Sequence, residues 1–496
     1  MKYTGTRSPS DKTVSSAQAI QEGLAPDGGL YMPMEIPTLT LAEIGVLLTK
    51  SYAARAAYLL GKYLTDYTTE ELLSDCGQAY SANRFPGGVA PVVKIDEARY
   101  LLELWHGPTA AFKDMALQLM PRLLSRALTK TGETRTALIL TATSGDTGKA
   151  ALEGFRDIPN TKIQVFYPSD GVSEVQKLQM ATQAGGNVSV CAIRGNFDDA
   201  QNGVKRLFSD PDLRETLDKQ GVFLSSANSI NWGRLVPQIV YYVSAYCDLV
   251  KNGAVSLGEE IDVCVPTGNF GNIFAAFLAK RMGLPLHRLI CASNTNNVLT
   301  DFLTTGIYDR NRTFHTTMSP SMDILISSNL ERLLYLLFGY ERSSSFMKSL
   351  VETGKYALSA GELTEVGKVF SGYYTDEGAT EQVLRQMWEE HHYLCDPHTA
   401  VAIGAAEQYE RDYGAKRKLL IASTASPYKF ALDVYRSLFS ETLSGGLAAQ
   451  ALLQERTGIP IPSPLADIGE RTIRFSDIIQ TSDMADAVLR FAVKDA

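Results

Sequence analysis

Two loops constrain this chain most, because each leaves a short apolar run and opens a helix. Residues 137–142 (ALILTA) lead into TSGDTG, and residues 261–265 (IDVCV) lead into PTGNFGN. Strand, glycine turn, helix is the unit from which parallel sheets are built, since the chain must cross over before it can pair in the same direction. The alternation continues between and after the two loops. Residues 163–167 read as a strand stopped by Pro168, residues 174–184 as a helix, and residues 188–193 as another strand. Residues 198–208 read as a helix with Asp198 and Asp199 at its positive end. A helix over 273–281 follows the second loop, and 289–292 and 419–422 are further strands. The predicted class is α/β, with parallel sheets wrapped by helices.

The flanking regions differ. Asp27, Gly28 and Gly29 turn into a short extended piece at 30–33, and residues 41–50 and 53–60 have helical spacing of apolar side chains. The run NRFPGG at 83–88 reads as a break, which places an N-terminal region at 1–90. Strand signals fade between about 300 and 395, and that stretch is expected to be a mainly helical insertion. The remaining chain divides into a large domain, from 91–135 and 236–496, and a small domain over 136–235. A chain of 496 residues, 45% hydrophobic and 21% charged, is ordinary for a globular protein of several domains.

The formal net charge is -8, which argues against a nucleic-acid partner, since a basic stripe would be expected there. The six cysteines show no CxxC or Cys/His ligand spacing, so zinc is not expected. Cys191 and Cys264 fall inside strand-like runs and read as reduced core thiols. The N-terminus lacks the apolar stretch of a signal peptide, and no apolar run reaches the ~20 residues of a membrane span. The expectation is a soluble cytoplasmic protein without a membrane partner.

Chemistry enters through Lys113, in HGPTAAFKDM. It stands at the start of an apolar helix, beside Phe112 and close to Trp105. Burial there lowers a lysine pKa and supplies a neutral amine, although an arbitrary lysine at a helix start is usually just solvated. In PTGNFGN, unpaired backbone N–H groups and the helix dipole favour phosphate. Gly268 and Gly271 allow close approach, and Asn269 and Asn272 add donors. The loop lacks the GK[ST] ending of a Walker loop and is not GxGxxG. A reactive amine and a separate phosphate cradle together suit pyridoxal 5'-phosphate, whose aldehyde forms a Schiff base with the amine.

In TSGDTG, the hydroxyls of Ser144 and Thr147 and the loop amides could take a carboxylate or phosphate, while Asp146 could simply cap its helix. Thr424 ends the strand over 419–422, where a hydroxyl points into the usual ligand crevice. His106 neighbours Lys113, and His398 suits a packing or capping role. No Ser/His/Asp ordering supports a hydrolase triad.

Taken together, these strings resemble the threonine synthase family, in the tryptophan-synthase-like group of pyridoxal-phosphate enzymes. HGPTAAFKD resembles its lysine motif, TSGDTG its substrate loop and GNFGN its phosphate loop. Residues 17–33, 225–238 (SSANSINWGRLVPQ), 319–332 (SPSMDILISSNLER), 395–402 (CDPHTAVA) and 423–430 (STASPYKF) extend the resemblance over nearly the whole chain. The long insertion is similar to that of the bacterial and fungal branch. The resemblance implies two parallel-type sheets in a tryptophan synthase beta-like fold. It implies that Lys113 carries the cofactor and that Gly268, Asn269, Phe270, Gly271 and Asn272 hold its phosphate. Thr424 would face the pyridine nitrogen, and Ser426 stands where the family commonly has histidine.

The activity implied by resemblance is a carbon–oxygen lyase reaction, O-phospho-L-homoserine and water to L-threonine and phosphate, in a monomeric enzyme. A second anion site is then needed for the substrate. Ser144, Gly145, Asp146, Thr147, Lys149, Lys177 and Arg234 are its candidates, arginine being favoured for bidentate binding. A lyase acting on serine or threonine would keep Lys113 and GNFGN without a second phosphate site. A non-enzymatic phosphate-binding module would use the same loops without a covalent cofactor.

Overall fold

Two parallel sheets organise the protein in its computed structural model, which describes residues 1–9, 11–143, 145–169 and 172–493. The larger sheet has six strands in the order Phe370–Tyr374, Leu286–Ser293, Ile261–Pro266, Leu419–Ser423, Arg99–Glu103 and Val92–Lys94. All neighbours are parallel except the last pair. The smaller sheet is fully parallel, in the order Ile478–Ile479, Val188–Ile193, Thr161–Pro168, Thr136–Ala142 and Val222–Ser225. The strands around the two glycine loops are buried along their length, as expected of a sheet covered by helices on both faces.

The crossover helices are built by local signals. Gly271–Met282 begins after Phe270, whose φ of 61° turns the chain sharply, and stops at Gly283 in the left-handed region with Lys280 and Arg281 in its last turn. Pro237–Lys251 begins with proline at its first position and is buried over most of its length. Register brings Ile421 opposite Cys264 and Ser423 opposite Glu103. The carboxyl ends of these strands therefore open on one side of the sheet, where Thr267–Asn272 and Thr424 emerge.

The expected helical insertion contains more sheet than its sequence announces. The helix Leu330–Thr353 dominates it and kinks at Gly339. Ile307–Asp309 and Lys355–Ala357 pair with each other, and Phe370–Tyr374 forms the edge of the larger sheet. An edge strand such as FSGYY is buried on few sides, so it lacks the continuous apolar run that marks a central strand. The C-terminal piece also departs from its expected place. Ile478–Ile479 pairs with Val188–Ile193 of the smaller sheet, and the helix Met484–Val493 packs into that sheet's apolar cluster. Two residues of strand are too short to carry a period. All six cysteines are buried and unpaired.

Candidate active site

Lys113 immediately precedes the short helix Asp114–Leu117 and is fixed by a second segment of chain. Phe112 N donates to Thr424 O at 2.8 Å, Ser426 N donates to Ala110 O at 3.0 Å, and Leu104 N donates to Ser423 O at 2.9 Å. The loop that ends in Lys113 is thus stitched to the carboxyl end of the strand Leu419–Ser423. Ala110 takes a φ of 57° to make this turn. Asp114 locks it from below, accepting from Thr109 N and Thr109 Oγ1, both at 2.8 Å. Burial pushes the Asp114 carboxyl up to about 6 in spite of those bonds.

The Lys113 amine is buried, with its side chain 11% exposed. It donates to Ser321 Oγ at 3.0 Å and faces Asp146 Oδ2 at 3.4 Å. The Phe112 ring lies 5.8 Å away. Burial lowers the Lys113 pKa; Asp146 opposes the shift, while Lys429 and Arg234 reinforce it. Asp146 itself is shared by two lysines, with Lys429 Nζ at 2.6 Å, and it accepts from Gln176 Nε2 at 2.9 Å. Burial alone would raise that carboxyl, but Lys429 and Lys113 hold it far below the usual carboxylate range.

Asp146 is the first residue of the helix Asp146–Phe155, but its side chain does not cap it: no side-chain cap hydrogen bond forms there, and the carboxylate enters the site instead. Its loop is tightly built. Thr143 Oγ1 accepts from Gly145 N at 3.0 Å and from Gly148 N at 2.9 Å. Gly145 has a φ of 145°, which residues with a side chain rarely adopt, and a Cβ there would displace the Gln176 amide, 2.5 Å away. Thr147 is half-buried in the same turn. Ser144 lies outside the described residues.

The phosphate loop adjoins Lys113 through Ser321. A Cβ on Gly268 would come within 2.7 Å of Ser321 O, so the glycine is what lets the two segments touch. Gly268 O accepts from Ser327 Oγ at 2.7 Å, and Asn269 O accepts from Asn329 N and Nδ2 at 3.1 and 3.0 Å. The loop's carbonyls are therefore drawn outward. Its backbone N–H groups from Gly268 to Asn272 make no hydrogen bond to another described residue. Asn272 Oδ1 accepts from Tyr241 and Tyr242, and its buried Nδ2 has no partner among the described residues. A row of unspent donors at a helix start, with a buried orphan amide, is the environment a phosphate satisfies. A buried amine beside it suits an aldehyde. The residues present thus fit pyridoxal phosphate.

Arg234 is buried, and its Nη1 donates to Ala227 O at 2.8 Å. Burial pushes it down to about 10, and no carboxylate pairs with it among the described residues. Lys177 Nζ donates to Ser169 O at 2.5 Å. Lys149 is not brought to this site. Its amine bonds Gln183 and lies 3.8 Å from Glu153, in a different cavity. Nor does His106 serve Lys113: it bonds Glu103 at 2.7 Å, stacks on Trp105 and lines an apolar cavity of about 300 Å³.

Sequence reasoning missed four partners. Ser321 and Lys429 lie inside strings already singled out, but nothing in their spacing tells that they meet Lys113 and Asp146. Gln176 carried no signal. His398 has a role besides packing: its Nε2 accepts from Ser321 N at 3.1 Å, so its Nδ1 carries the proton that binds Asp396 Oδ1 at 2.7 Å.

The family described as "Pyridoxal-phosphate dependent enzyme" matches residues 86–424, and "Threonine synthase N terminus" matches residues 2–80. Threonine synthase of Pseudomonas aeruginosa is 37% identical over 481 residues, covering 94% of this chain and 97% of that protein. The chain belongs to the threonine synthase family of pyridoxal-phosphate-dependent enzymes. Within the family, human threonine synthase-like 1 is 39% identical over 88% of this chain, which spans only 60% of that protein's length. Among solved structures, the pyridoxal-phosphate-bound threonine synthase from Brucella melitensis has a TM-score of 0.88 and 35% identity over 100% of both chains. Yeast threonine synthase has a TM-score of 0.89 and 31% identity, covering 99% and 98%.

Proposed function

We propose that this protein is a threonine synthase, a lyase converting O-phospho-L-homoserine and water to L-threonine and phosphate, the last step of threonine biosynthesis. The observation that carries the reading is the meeting, through Ser321, of a buried amine with a donor-rich cradle that has no internal partner. Pyridoxal phosphate, when bound, supplies an electron sink for charge developing on substrate carbon.

The chain supplies the rest. Lys113 would hold the cofactor aldehyde, and its amine is placed to hold or move protons at the substrate's carbons. Its burial favours the neutral, basic form. Ser321 Oγ, 3.0 Å from the amine, orients it. Gly268, Asn269, Phe270, Gly271 and Asn272 would bind the cofactor phosphate, and Thr424 would offer the pyridine nitrogen a hydroxyl rather than a carboxylate's charge. Arg234 takes the substrate phosphate, assisted by Gly145, Thr147 and Lys177 of the facing segment. Asp146 keeps Lys429 neutralised whatever the protonation of Lys113.

The substrate-loop unit is residues 136–235 with the C-terminal piece that pairs with its sheet, while 91–135 and most of 236–477 form the cofactor-binding body. Among the described residues no helix is long and apolar enough to cross a membrane. A monomer in the cytoplasm, without nucleic-acid or membrane partners, accords with the reading.

The purified protein should show the visible absorbance of lysine-bound cofactor, absent from Lys113→Ala. It should release phosphate and threonine in equal amounts from O-phospho-L-homoserine. Phosphate without threonine would make it a phospho-lyase instead, and neither absorbance nor turnover would leave only a phosphate-binding module.

A further inference from the structure

Lys149 lies one turn along the helix from Asp146 and lines a cavity of about 250 Å³ that includes none of the residues grouped around Lys113. Its charged lining is Arg84, Lys149, Glu153, Arg156 and Arg471. Two electrostatic neighbourhoods stand back to back. The Lys149 amine feels Glu153, Arg471, Asp114 and Arg156, whereas the Lys113 amine feels Asp146, Lys429 and Arg234.

Three cations share a single carboxylate in this cavity. Glu153 meets Arg156 at 3.1 Å, Lys149 at 3.8 Å and Arg84 at 3.8 Å. Arg471 is paired with Asp467 outside the lining. Four cations against Glu153, Asp467 and Asp114 leave one positive charge unbalanced. Lys149 and Glu153 are almost fully buried, so solvent screens them poorly. Burial accordingly pushes Lys149 down to about 8, with Arg471 and Arg156 reinforcing the shift against Glu153. The volume is below the ~300–1,000 Å³ of pockets for drug-sized ligands. A compact anion fits it, and guanidinium forks match tetrahedral oxyanions.

We propose that this cavity is a binding site for a small oxyanion of the phosphate class, held by Arg84, Lys149, Arg156 and Arg471 and separate from both phosphate sites of the reaction. The same group is carried by free phosphate and by phosphorylated metabolites. Glu153 is the competing internal anion, which keeps the cations together when the site is empty.

The test is calorimetric titration of the holoenzyme with inorganic phosphate, the cofactor filling its own loop. The comparison variant is Arg156→Gln with Arg471→Gln, both at the rim and neither in the reaction site. The variant should keep the parent's visible cofactor absorbance and melting temperature. Its phosphate affinity at this site should fall at least about tenfold, the loss that one or two charge-assisted hydrogen bonds carry. Glu153→Gln should bind phosphate more tightly than the parent. Should the double variant misfold, Arg156→Gln alone carries the same expectation. Superimposable isotherms for parent and variant, or no heat with the parent at millimolar phosphate, would overturn the proposal. A parallel titration with O-phospho-L-serine separates the sources: weaker binding than phosphate at this site assigns it to the free ion, equal or tighter binding to a phosphorylated metabolite. No turnover is measured, so failure here leaves the proposed reaction untouched.

Discussion

Gly154→Ala should damage stability and turnover together, because it pushes on the contact that sets the site's central distance. Gly154 lies at the end of the helix Asp146–Phe155 and faces Leu117, the last residue of Asp114–Leu117. A Cβ there would sit 1.9 Å from Leu117 O and 2.8 Å from Leu117 C. Real Cβ atoms essentially never come within 3.0 Å of such atoms, so the two helices must separate by at least about 1.1 Å. The obstacle is backbone, and no flexible side chain can yield in its place. Overpacking of this kind costs about 1–3 kcal/mol. In a chain this long that lowers the melting temperature by at most roughly 2–4 °C per kcal/mol.

The same two helices carry Asp146 and adjoin Lys113, which stand 3.4 Å apart. A displacement near 1 Å at such a point can cost about 10²-fold in rate. Melting followed by circular dichroism and kcat from coupled phosphate release measure the two effects. Gly77→Ala is the control. It lies inside the helix Thr69–Ala79, where a Cβ would meet nothing within 4 Å. Alanine there should stabilise by roughly 0.5–1 kcal/mol and leave kcat alone. Parent-like melting and turnover in Gly154→Ala would refute the reasoning.

Three further outcomes follow from particular partners. Asp114 titrates near 6 in the fold against an ordinary value near 3.8, so its contribution to stability is complete below pH 4 and is lost as pH rises through 6. Asp114→Asn should gain on the parent by on the order of 3 kcal/mol across that window in pH-dependent unfolding, with no further change above pH 7. Arg332 is fully buried and donates to Tyr31 O, Ile230 O and Asn329 Oδ1. Arg332→Met strands these acceptors at about 1–3 kcal/mol each, and because Asn329 holds Asn269 O, dialysis should strip cofactor faster from the variant than from the parent. Asp396→Ala removes the acceptor that fixes the His398 tautomer, so Ser321 loses its hold. The kcat should fall about tenfold or more with KM nearly unchanged, in the manner of second-layer partners elsewhere; a changed KM alone would count against the positioning role.

Local pattern sufficed wherever an element is central and wrapped. The strand at 188–193 was read at its observed bounds, and those at 137–142 and 261–265 to within a residue, because full burial demands continuous apolar runs. It failed at edges. Val92–Lys94 is three residues long, Phe370–Tyr374 contains serine and glycine, and Ile478–Ile479 is two residues long. What these strands share is that their pairing is decided by distant chain. Lys149 illustrates the same limit in the site. Its place in TSGDTGK marked it for substrate, but its amine is taken by Gln183 and Glu153, partners that only the folded chain brings to it.

The charge balance around Lys113 bears on the choice between a phosphorylated and an unphosphorylated substrate. With Lys113 neutral, as its burial favours, Asp146 and Lys429 compensate each other at 2.6 Å. Arg234 then remains as a buried cation with no carboxylate among the described residues, close enough to depress Lys113. An unpaired buried guanidinium is costly unless something anionic completes it. On the proposed assignment the unpartnered N–H groups of 268–272 take the cofactor phosphate, so the unmatched charge calls for a second anion. A lyase for serine or threonine would bring only a carboxylate to this site. Arg234→Lys, which keeps the charge and removes the fork, should therefore raise KM for O-phospho-L-homoserine while sparing cofactor absorbance. An unchanged KM would mean that another residue receives the leaving phosphate, and that Arg234 serves only to suppress protonation of Lys113.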